Sequence, residues 1–372
     1  MYTEIIKILE AGMALDRKKM VSYARVLADN LAGAGDLKFA DRIRQVISHT
    51  HGSLATLDSL GAKPVDSESH LEIVDVTRPT LGWNQLMLNG QVASEIREFV
   101  AGYGKREELQ RSGIEVFNSL LLYGPPGCGK TSVANLIASE VGLPLVTARF
   151  DALVSSLLGS TAKNIRKVFE YASLKPCVLF LDEFDVIAKM RDDKNELGEL
   201  KRVVNGLLQE MDAFSPESIL IAATNHHELL DRAVWRRFGK VLALDLPSAD
   251  LVAKTLRLNL SGRDDGFAED PRTMKRIVAA LSGVSHSGIR TVTQNAIRSA
   301  VLGGREKVSR VELVREIYLS RRHGLTDEAD FIRFLIGIGF THLEMHDQFG
   351  LPLRSIREIS RDLRREKKGA DE

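Results

Sequence analysis

Residues 119–131 read Ser-Leu-Leu-Leu-Tyr-Gly-Pro-Pro-Gly-Cys-Gly-Lys-Thr, an apolar run followed by a glycine-rich turn. The turn fits the pattern G-x-x-x-x-G-K-[ST], and the residues that follow it have helical spacing. A strand that leads through glycines into a helix is typical of a phosphate-binding loop, because backbone N–H groups turn inward and the helix N-terminus adds positive potential. The residues predicted to bind a nucleotide phosphate chain are Gly124, Pro125, Pro126, Gly127, Cys128, Gly129, Lys130, Thr131 and Ser132. Among them, Lys130 would reach the terminal phosphates and Thr131 would ligate Mg²⁺.

Two acidic residues follow a second apolar run. Residues 178–183 read Val-Leu-Phe-Leu-Asp-Glu, which predicts a buried strand that ends in two carboxylates. Alone, this pattern is more often a strand that meets a solvated loop. With the phosphate loop upstream at this spacing, the catalytic interpretation is favoured instead. An acid at the end of a neighbouring strand holds Mg²⁺, and a second acid takes a proton from an attacking water. We therefore predict that Asp182 positions the metal and that Glu183 is the general base.

Short apolar runs alternate with helical patterns between residues 71 and 246. The predicted strands are residues 119–123, 145–148, 178–181, 219–222 and 241–244. Strands that are apolar along their whole length are typical of a parallel sheet covered by helices on both faces. The pattern predicts an open, wound α/β domain.

Helical patterns dominate the two ends of the chain. Residues 1–50 predict a small three-helix bundle, and residues 51–75 are polar and predict a linker. We assign residues 76–247 to the α/β domain, 248–320 to a helical lid and 321–372 to a C-terminal helical segment.

Composition and charge exclude several classes of protein. The chain has 372 residues, 44% hydrophobic and 27% charged, with a formal net charge of +1. This is a globular mixture, unlike that of a disordered chain or of a protein that holds nucleic acid mainly through its overall charge. The most apolar stretch, residues 331–340, is too short to span a membrane, and the N-terminus has no signal-peptide pattern. We therefore expect a cytoplasmic protein that does not associate with a membrane. Cys128 and Cys177 indicate neither a disulfide framework nor a zinc site.

The motifs together resemble those of the AAA family of ATPases, over about residues 81–301. Gly-Pro-Pro-Gly-Cys-Gly-Lys-Thr and Leu-Phe-Leu-Asp-Glu-Phe-Asp are highly specific as a pair. Residues 221–225, Ile-Ala-Ala-Thr-Asn, resemble the sensor strand of the family, in which Asn225 would orient the lytic water. The resemblance implies a P-loop NTPase sheet with an all-α lid, and an enzyme that hydrolyses ATP with Mg²⁺.

Residues 230–238, Leu-Asp-Arg-Ala-Val-Trp-Arg-Arg-Phe, resemble the family segment that supplies arginine fingers to the neighbouring subunit. Arg236 and Arg237 are the candidates, and Arg237 is preferred because it directly precedes Phe238, as in the family. The segment lacks the Pro-Gly insertion of the usual family form. A finger supplied in trans is worth about 10³–10⁵ in rate. The resemblance therefore implies a homo-oligomeric ring, usually a hexamer.

Residues 150–159, which include Leu157 and Leu158, resemble the region that holds the substrate-gripping pore loop of protein-remodelling members. The family usually has an aromatic residue there. An aliphatic side chain grips a polypeptide through apolar contact but lacks a flat stacking surface. Threading of a protein substrate is one interpretation, and packing of Leu157 inside the domain is the other.

Residues 285–290 correspond to the family stretch near the nucleotide, with His286 and Ser287 in place of a small Gly-Ala pair. A neutral lid histidine is favoured over a nucleotide contact. Residues 341–359 predict a helix-turn-helix with a turn at Gly350. The basic segment that follows would contact phosphates if this unit bound DNA, although a solvated basic helix is the commoner explanation.

The predicted function is an ATP-hydrolysing ring that remodels or unfolds a bound protein. One alternative is an ATP-switched, DNA-associated regulator that uses the helix-turn-helix, and another is a scaffold that presents a partner enzyme without threading. Some bacterial single-module members of the family are encoded beside a subtilisin-like serine protease, which the resemblance suggests as a partner. The chain has no H-E-x-x-H motif of a built-in zinc protease.

Overall fold

The computed structural model describes residues 63–66, 72–114, 116–149, 158–186, 197–322 and 327–370, together with positions 7, 23, 24, 26–28, 30 and 31. Its strands are β1 (Val74–Thr77), β2 (Ser119–Tyr123), β3 (Leu145–Arg149), β4 (Val178–Asp182), β5 (Ile219–Thr224) and β6 (Lys240–Ala243). They form one sheet in the order β1-β3-β4-β5-β2-β6. β1 is antiparallel to β3, and the other neighbours are parallel. The α/β sheet predicted from the sequence is confirmed.

Helices flank the sheet and continue beyond it. Those of the α/β domain are α1 (Gly90–Gly104), α2 (Arg106–Arg111), α3 (Lys130–Val141), α4 (Leu158–Ala172), α5 (Leu197–Asp212) and α6 (Arg232–Trp235). The later helices are α7 (Ala249–Leu260), α8 (Pro271–Ala280), α9 (His286–Leu302), α10 (Arg310–Arg322), α11 (Glu328–Ile338), α12 (His342–Phe349) and α13 (Leu353–Ala370).

Alternate side chains of the strands fill a core on each face of the sheet. Leu121 and Leu179 share a buried cluster with residues of α4 and α5. Their strand neighbours Leu122 and Phe180 share the opposite cluster with residues of α1 and α3. Successive side chains of a strand point to opposite faces, so a strand covered on both sides must be apolar throughout. This double burial holds the carboxyl ends of β2, β4 and β5 in fixed positions.

The sequence does not predict β1, and the predicted boundary between the linker and the α/β domain, at residues 75 and 76, falls inside this strand. Val74 is buried, whereas Asp75 and Thr77 are exposed. β1 is a four-residue edge strand paired with β3 from Val74 opposite Ala148 to Thr77 opposite Leu145. A short strand with one solvated face has no continuous apolar run, which is why the pattern is missed.

The lid and the C-terminal helices share one hydrophobic core. The stretch assigned to the lid contains α7 to α10, and the stretch assigned to the C-terminal segment contains α11 to α13. Val252, Ile289 and Ile317 of the lid belong to the same buried cluster as Phe331 and Ile356 of the C-terminal helices. The predicted boundary at residue 320 therefore separates stretches of sequence that fold around a common core.

Most of the predicted N-terminal bundle and linker lies outside the described residues. Of the described positions there, Leu27, Ala28 and Leu31 are buried. Cys128 and Cys177 are both buried free thiols. In the part of the chain that the structure describes, no helix is both long enough and apolar enough to cross a membrane.

Candidate functional site

The loop between β2 and α3 has a conformation that requires glycine. Gly124 and Gly127 have φ angles of 139° and 76°. A Cβ atom on Gly124 would collide with the carbonyl group of Leu244, and one on Gly127 would lie 2.6 Å from Oγ of Ser285. The loop leads directly into Lys130, the first residue of α3. The predicted phosphate-binding residues therefore surround a helix N-terminus, where the backbone stabilises anions.

Lys130 links this loop to β5. Its Nζ atom donates hydrogen bonds to the carbonyl oxygens of Gly124 at 2.7 Å and Pro125 at 3.0 Å, and to Oδ1 of Asn225 at 2.6 Å. Burial lowers the pKa of the Lys130 ammonium group, whereas the carboxylate of Asp182 acts in the opposite direction. The sequence predicts Lys130 and Asn225 separately, and the structure brings them into contact.

Thr131 and Asp182 also converge, at the ends of α3 and β4. Oγ1 of Thr131 donates to Oδ2 of Asp182 over 3.4 Å. A hydroxyl and a carboxylate side by side offer the hard oxygen ligands that Mg²⁺ prefers. The two residues therefore fit the metal that the family resemblance implies.

Glu183 follows β4 in an unusual backbone conformation. Its φ angle is 55°, in the left-handed region that residues other than glycine rarely adopt. The N–H of Glu183 donates to Oδ1 of Asp182 at 3.0 Å, and the N–H of Phe184 donates to the carbonyl of Ala223 at 2.9 Å. These bonds hold a conformation that costs about 1–3 kcal/mol and is typical of functional sites. The chain thus turns sharply at the predicted general base.

Asp185 is a residue of this site to which the sequence interpretation gave no role. Its side chain is only 4% exposed. Oδ1 accepts hydrogen bonds from Oγ1 of Thr224 at 3.2 Å and from the N–H of Asn225 at 3.5 Å. Asp185 therefore ties the turn after β4 to the end of β5. The sequence feature that could have identified Asp185 is its position as the second aspartate of Asp-Glu-Phe-Asp, an acid next to a buried aromatic residue.

The segment that carries the predicted arginine fingers is anchored to the sheet. Asp231 caps α6, with Oδ1 accepting from the N–H of Ala233 at 2.8 Å. Nε1 of Trp235 donates to the carbonyl of Leu230 at 3.3 Å, and the Trp235 ring packs edge-on against Tyr123 of β2 with centroids 5.8 Å apart. The backbone that leads into the two arginines is therefore fixed relative to β2.

Arg236 and Arg237 have different surroundings. Nε and Nη2 of Arg237 donate to Oδ1 and Oδ2 of Asp212 at 3.1 and 3.2 Å, and Nη1 donates to the carbonyl of Ala233 at 3.2 Å. Arg236 is exposed, and no described residue forms an ion pair or hydrogen bond with its guanidinium group. The sequence prefers Arg237, whereas in the structure Arg237 is engaged within its own chain. Its partner Asp212 was not predicted.

The lid contacts the phosphate loop directly. The N–H of Ser287 donates to the carbonyl of Gly127 at 3.1 Å. Nδ1 of His286 lies 3.1 Å from Oγ1 of Thr255, and burial lowers the pKa of His286 below its ordinary value of 6.5. This environment favours a neutral imidazole, in agreement with the interpretation preferred from the sequence.

The predicted pore residues are placed only in part. Leu157 lies outside the described residues, and Leu158 is the first residue of α4. Their contact with a protein substrate stays a prediction.

Comparison with known proteins relates this site to a family. Residues 120–246 match the family model described as ATPase family associated with various cellular activities (AAA). An uncharacterized AAA family ATPase of Sinorhizobium fredii is 40% identical over 250 residues, which cover 67% of this chain and 74% of the relative. The chain belongs to the AAA ATPase family.

Other relatives of this AAA ATPase include a proteasome-activating nucleotidase of Thermococcus onnurineus, 32% identical over 279 residues (71% of this chain, 67% of the relative). The ATP-dependent zinc metalloprotease FtsH 1 of Methylacidiphilum infernorum is 34% identical over 227 residues, covering 59% of this chain and 35% of the relative. This AAA ATPase hydrolyses ATP. Its loop, acids and Asn225 meet at the carboxyl edge of the sheet, where wound α/β proteins bind their ligands.

Proposed function

We propose that this AAA ATPase assembles as a homo-oligomeric ring, with six subunits as in the usual family form, and uses Mg²⁺-dependent ATP hydrolysis to remodel a bound protein. The observation that carries the ring is Arg236, which is exposed, has no ion-pair partner among the described residues and lies on a segment anchored to the sheet. Hydrolysis needs positive charge near the terminal phosphate, and an arginine held rigidly at the surface can supply it to a neighbouring subunit.

We propose the following division of labour within one chain. The glycine-rich loop and Lys130 bind the phosphates, since backbone N–H groups and a buried ammonium group stabilise anionic oxygens. Glu183 accepts the proton of the attacking water, and Asn225 orients that water. Asp185 keeps Asn225 in place through its contacts with the end of β5.

Thr131 and Asp182 would hold Mg²⁺ through their converging oxygens. When bound, the metal neutralises charge on the phosphate oxygens. Lys130 adds a second positive charge, and its contact with Asn225 couples phosphate binding to the position of the water-orienting amide.

We propose Arg236 as the arginine that acts across the interface. The ion pair with Asp212 supports a different role for Arg237, which holds the end of α6 against the end of α5. Arg237 is then a positioning residue, whose loss displaces Arg236 without removing a charge from the reaction.

Two kinds of observation support remodelling of a protein. Residues 150–159, which include Leu157 and Leu158, resemble the region in which protein-remodelling members of the family place their substrate grip. The names of two relatives, a proteasome-activating nucleotidase and an ATP-dependent zinc metalloprotease, connect this ATPase module with proteolysis in those proteins. A subtilisin-like serine protease is the partner enzyme that we propose to look for.

Ring formation is tested by measuring ATPase activity per subunit against protein concentration, with sedimentation of the same samples. We expect activity to rise in the concentration range where rings form, because each site then gains a neighbouring arginine. A constant activity from a protein that stays monomeric would refute the ring.

Remodelling is tested with a fluorescent protein that carries an unstructured tail. ATP should drive loss of its fluorescence, and Leu157→Ala should abolish this loss while ATP hydrolysis continues. Leu157→Tyr, which restores the aromatic residue usual in the family, is the matched control and should unfold the substrate at least as well as the unaltered protein. Capture of partners by Glu183→Gln with ATP would then identify the natural substrate or protease.

A further inference from the structure

The C-terminal helices contain a helix-turn-helix that the proposed ATPase mechanism does not use. α12 ends at Phe349, Gly350 has a φ angle of 68°, and α13 begins at Leu353. A three-residue turn with a glycine is typical of helix-turn-helix units. At the start of α12, Oγ1 of Thr341 accepts from the N–H of Glu344 at 3.2 Å, and Oε2 of Glu344 accepts from the N–H of Thr341 at 2.6 Å. The start of α12 is thus defined by reciprocal hydrogen bonds, and at its end the N–H of Gly350 donates to the carbonyl of His346 at 3.0 Å.

Buried side chains fix α12 against α13. Met345 of α12 and Ile356 of α13 are fully buried, and Leu351 in the turn is 8% exposed. Nε2 of His342 lies 2.8 Å from Oγ of Ser360, which adds a polar contact between the helices. The inner face of α13 is therefore committed to the shared core, and only its outer face is available to a ligand.

The outer face of α13 is a row of arginines. All five are exposed: Arg354, Arg357, Arg361, Arg364 and Arg365. At about 3.6 residues per turn, they fall within about 100° of the helix circumference, on the side opposite Ile356, and extend over about 16 Å. The carboxylates of Glu358 and Asp362 lie along one edge of this arginine face, not within it.

These charges are not neutralised by any of the described residues. No described residue forms an ion pair with any of the five guanidinium groups. Other arginines of the neighbouring helices are paired: Nε of Arg322 lies 3.0 Å from Oδ2 of Asp330, and Nη1 of Arg310 lies 4.0 Å from Oε1 of Glu344. The arginine face is thus a local concentration of positive charge on a chain whose net charge is only +1.

We propose that α13 binds double-stranded DNA, with its arginine face in the major groove. The second helix of a helix-turn-helix is the element that enters this groove, which is about 12 Å wide. Arginine donates forked hydrogen bonds to phosphate and to guanine, so one row of side chains can make both kinds of contact. The near-neutral total charge does not oppose this binding, because the arginine face acts locally.

Two other polyanionic partners suit the face less well. Duplex RNA has a deep, narrow major groove that side chains cannot read. A helix that lies on a membrane buries an exposed apolar face in the lipid, whereas the apolar face of α13 packs inside the protein through Ile356.

The test measures binding of the full chain to a fluorescent DNA duplex at several salt concentrations. We expect affinity to fall steeply as salt rises, because each phosphate contact adds about 0.9 to the salt slope. The triple variant Arg354→Ala, Arg357→Ala, Arg361→Ala should weaken binding at least about 30-fold at low salt and reduce the slope by about 2 to 3. Replacing the same three residues by lysine should preserve much of the affinity, since the charge is retained.

The control triple variant Lys275→Ala, Arg298→Ala, Arg333→Ala removes equal charge from exposed positions outside the arginine face and should bind DNA normally. All variants should keep their thermal stability and ATPase activity, so that a folding defect is recognised. Absence of duplex binding at low salt would overturn the proposal. Equal losses in the two alanine triple variants would also overturn it, as would tighter binding to duplex RNA or to anionic lipid vesicles than to DNA.

Discussion

Alanine substitutions at Arg236 and Arg237 should have different effects on catalysis. Arg236 has no partner among the described residues, so Arg236→Ala should leave folding stability within about 0.5 kcal/mol of the unaltered protein. Its loss from a neighbouring site should reduce ATP hydrolysis about 10³-fold, which corresponds to about 4 kcal/mol in the activation barrier. Arg237→Ala breaks a forked ion pair with Asp212 that is partly exposed, which should cost about 1 kcal/mol of stability. We expect it to reduce hydrolysis less than about tenfold.

The decisive assay mixes two inactive variants. Glu183→Gln retains the trans arginine but lacks the general base, and Arg236→Ala retains the base but lacks the arginine. In a randomly mixed ring with head-to-tail interfaces, about a quarter of the sites combine an intact base with an intact arginine from the next subunit. Equal amounts should therefore give about a quarter of the normal phosphate release, although each variant alone is nearly inactive.

Asp212→Asn is the matched control for Arg237. It weakens the same ion pair from the other side, so it should reproduce the effect of Arg237→Ala on both stability and activity if Arg237 only positions the segment. The reasoning is refuted if Arg237→Ala abolishes hydrolysis and complements Glu183→Gln, while Arg236→Ala and Asp212→Asn stay active.

Three further predictions concern the loop, the base and the lid. Glu183→Gln should bind ATP and assemble but release phosphate about 10²–10⁴-fold more slowly, and normal turnover would contradict the assignment of the base. Gly124→Ala should lose nucleotide binding and unfold at lower denaturant concentration, because its Cβ would strike the carbonyl of Leu244. The Cβ of Gly142→Ala meets no atom within 4 Å, so this control should cost only about 1–2 kcal/mol, the cost of a left-handed φ angle of 71°. The folded state lowers the pKa of His286, so just below pH 6.5 the unfolded state binds more protons than the folded state. The free energy of unfolding should therefore fall as the pH drops through that window. Thermal unfolding of His286→Gln should show a smaller dependence on pH, and an unchanged dependence would exclude His286 as its source.

The buried strands of the sheet were predictable because each of them is a continuous apolar run. The five predicted strands recur in the structure, and β3, β4 and β5 are longer at the carboxyl end by polar or small residues, as in Thr224 of β5. β1 was missed because Val74 and Asp75 alternate in burial over only four residues. The pattern shows which strands are buried on both faces, but it does not show which edge a short amphipathic strand will join.

Within the site, motif residues were predictable and their partners were not. Lys130 and Asn225 are 95 residues apart in the sequence, and nothing in either motif indicates their 2.6 Å contact. Arg237 was preferred because of its neighbour Phe238, whereas its ion pair depends on Asp212 at the end of a different helix. Roles that depend on local spacing can be read from a sequence, but the choice between adjacent arginines depends on contacts that only the fold creates.

The shared core of the lid and the C-terminal helices connects the phosphate loop to the arginine face. Ser287 donates directly to Gly127 in that loop, and Ile289, two residues further along α9, is fully buried in the cluster that also holds Ile356 of α13. Close-packed cores transmit displacement because they have little free volume to absorb it. A nucleotide that moves the lid relative to the sheet therefore also moves α13. An effect of ATP on DNA binding would require the two lid positions to differ in their affinity for DNA, and DNA would then change the affinity for ATP by the same factor.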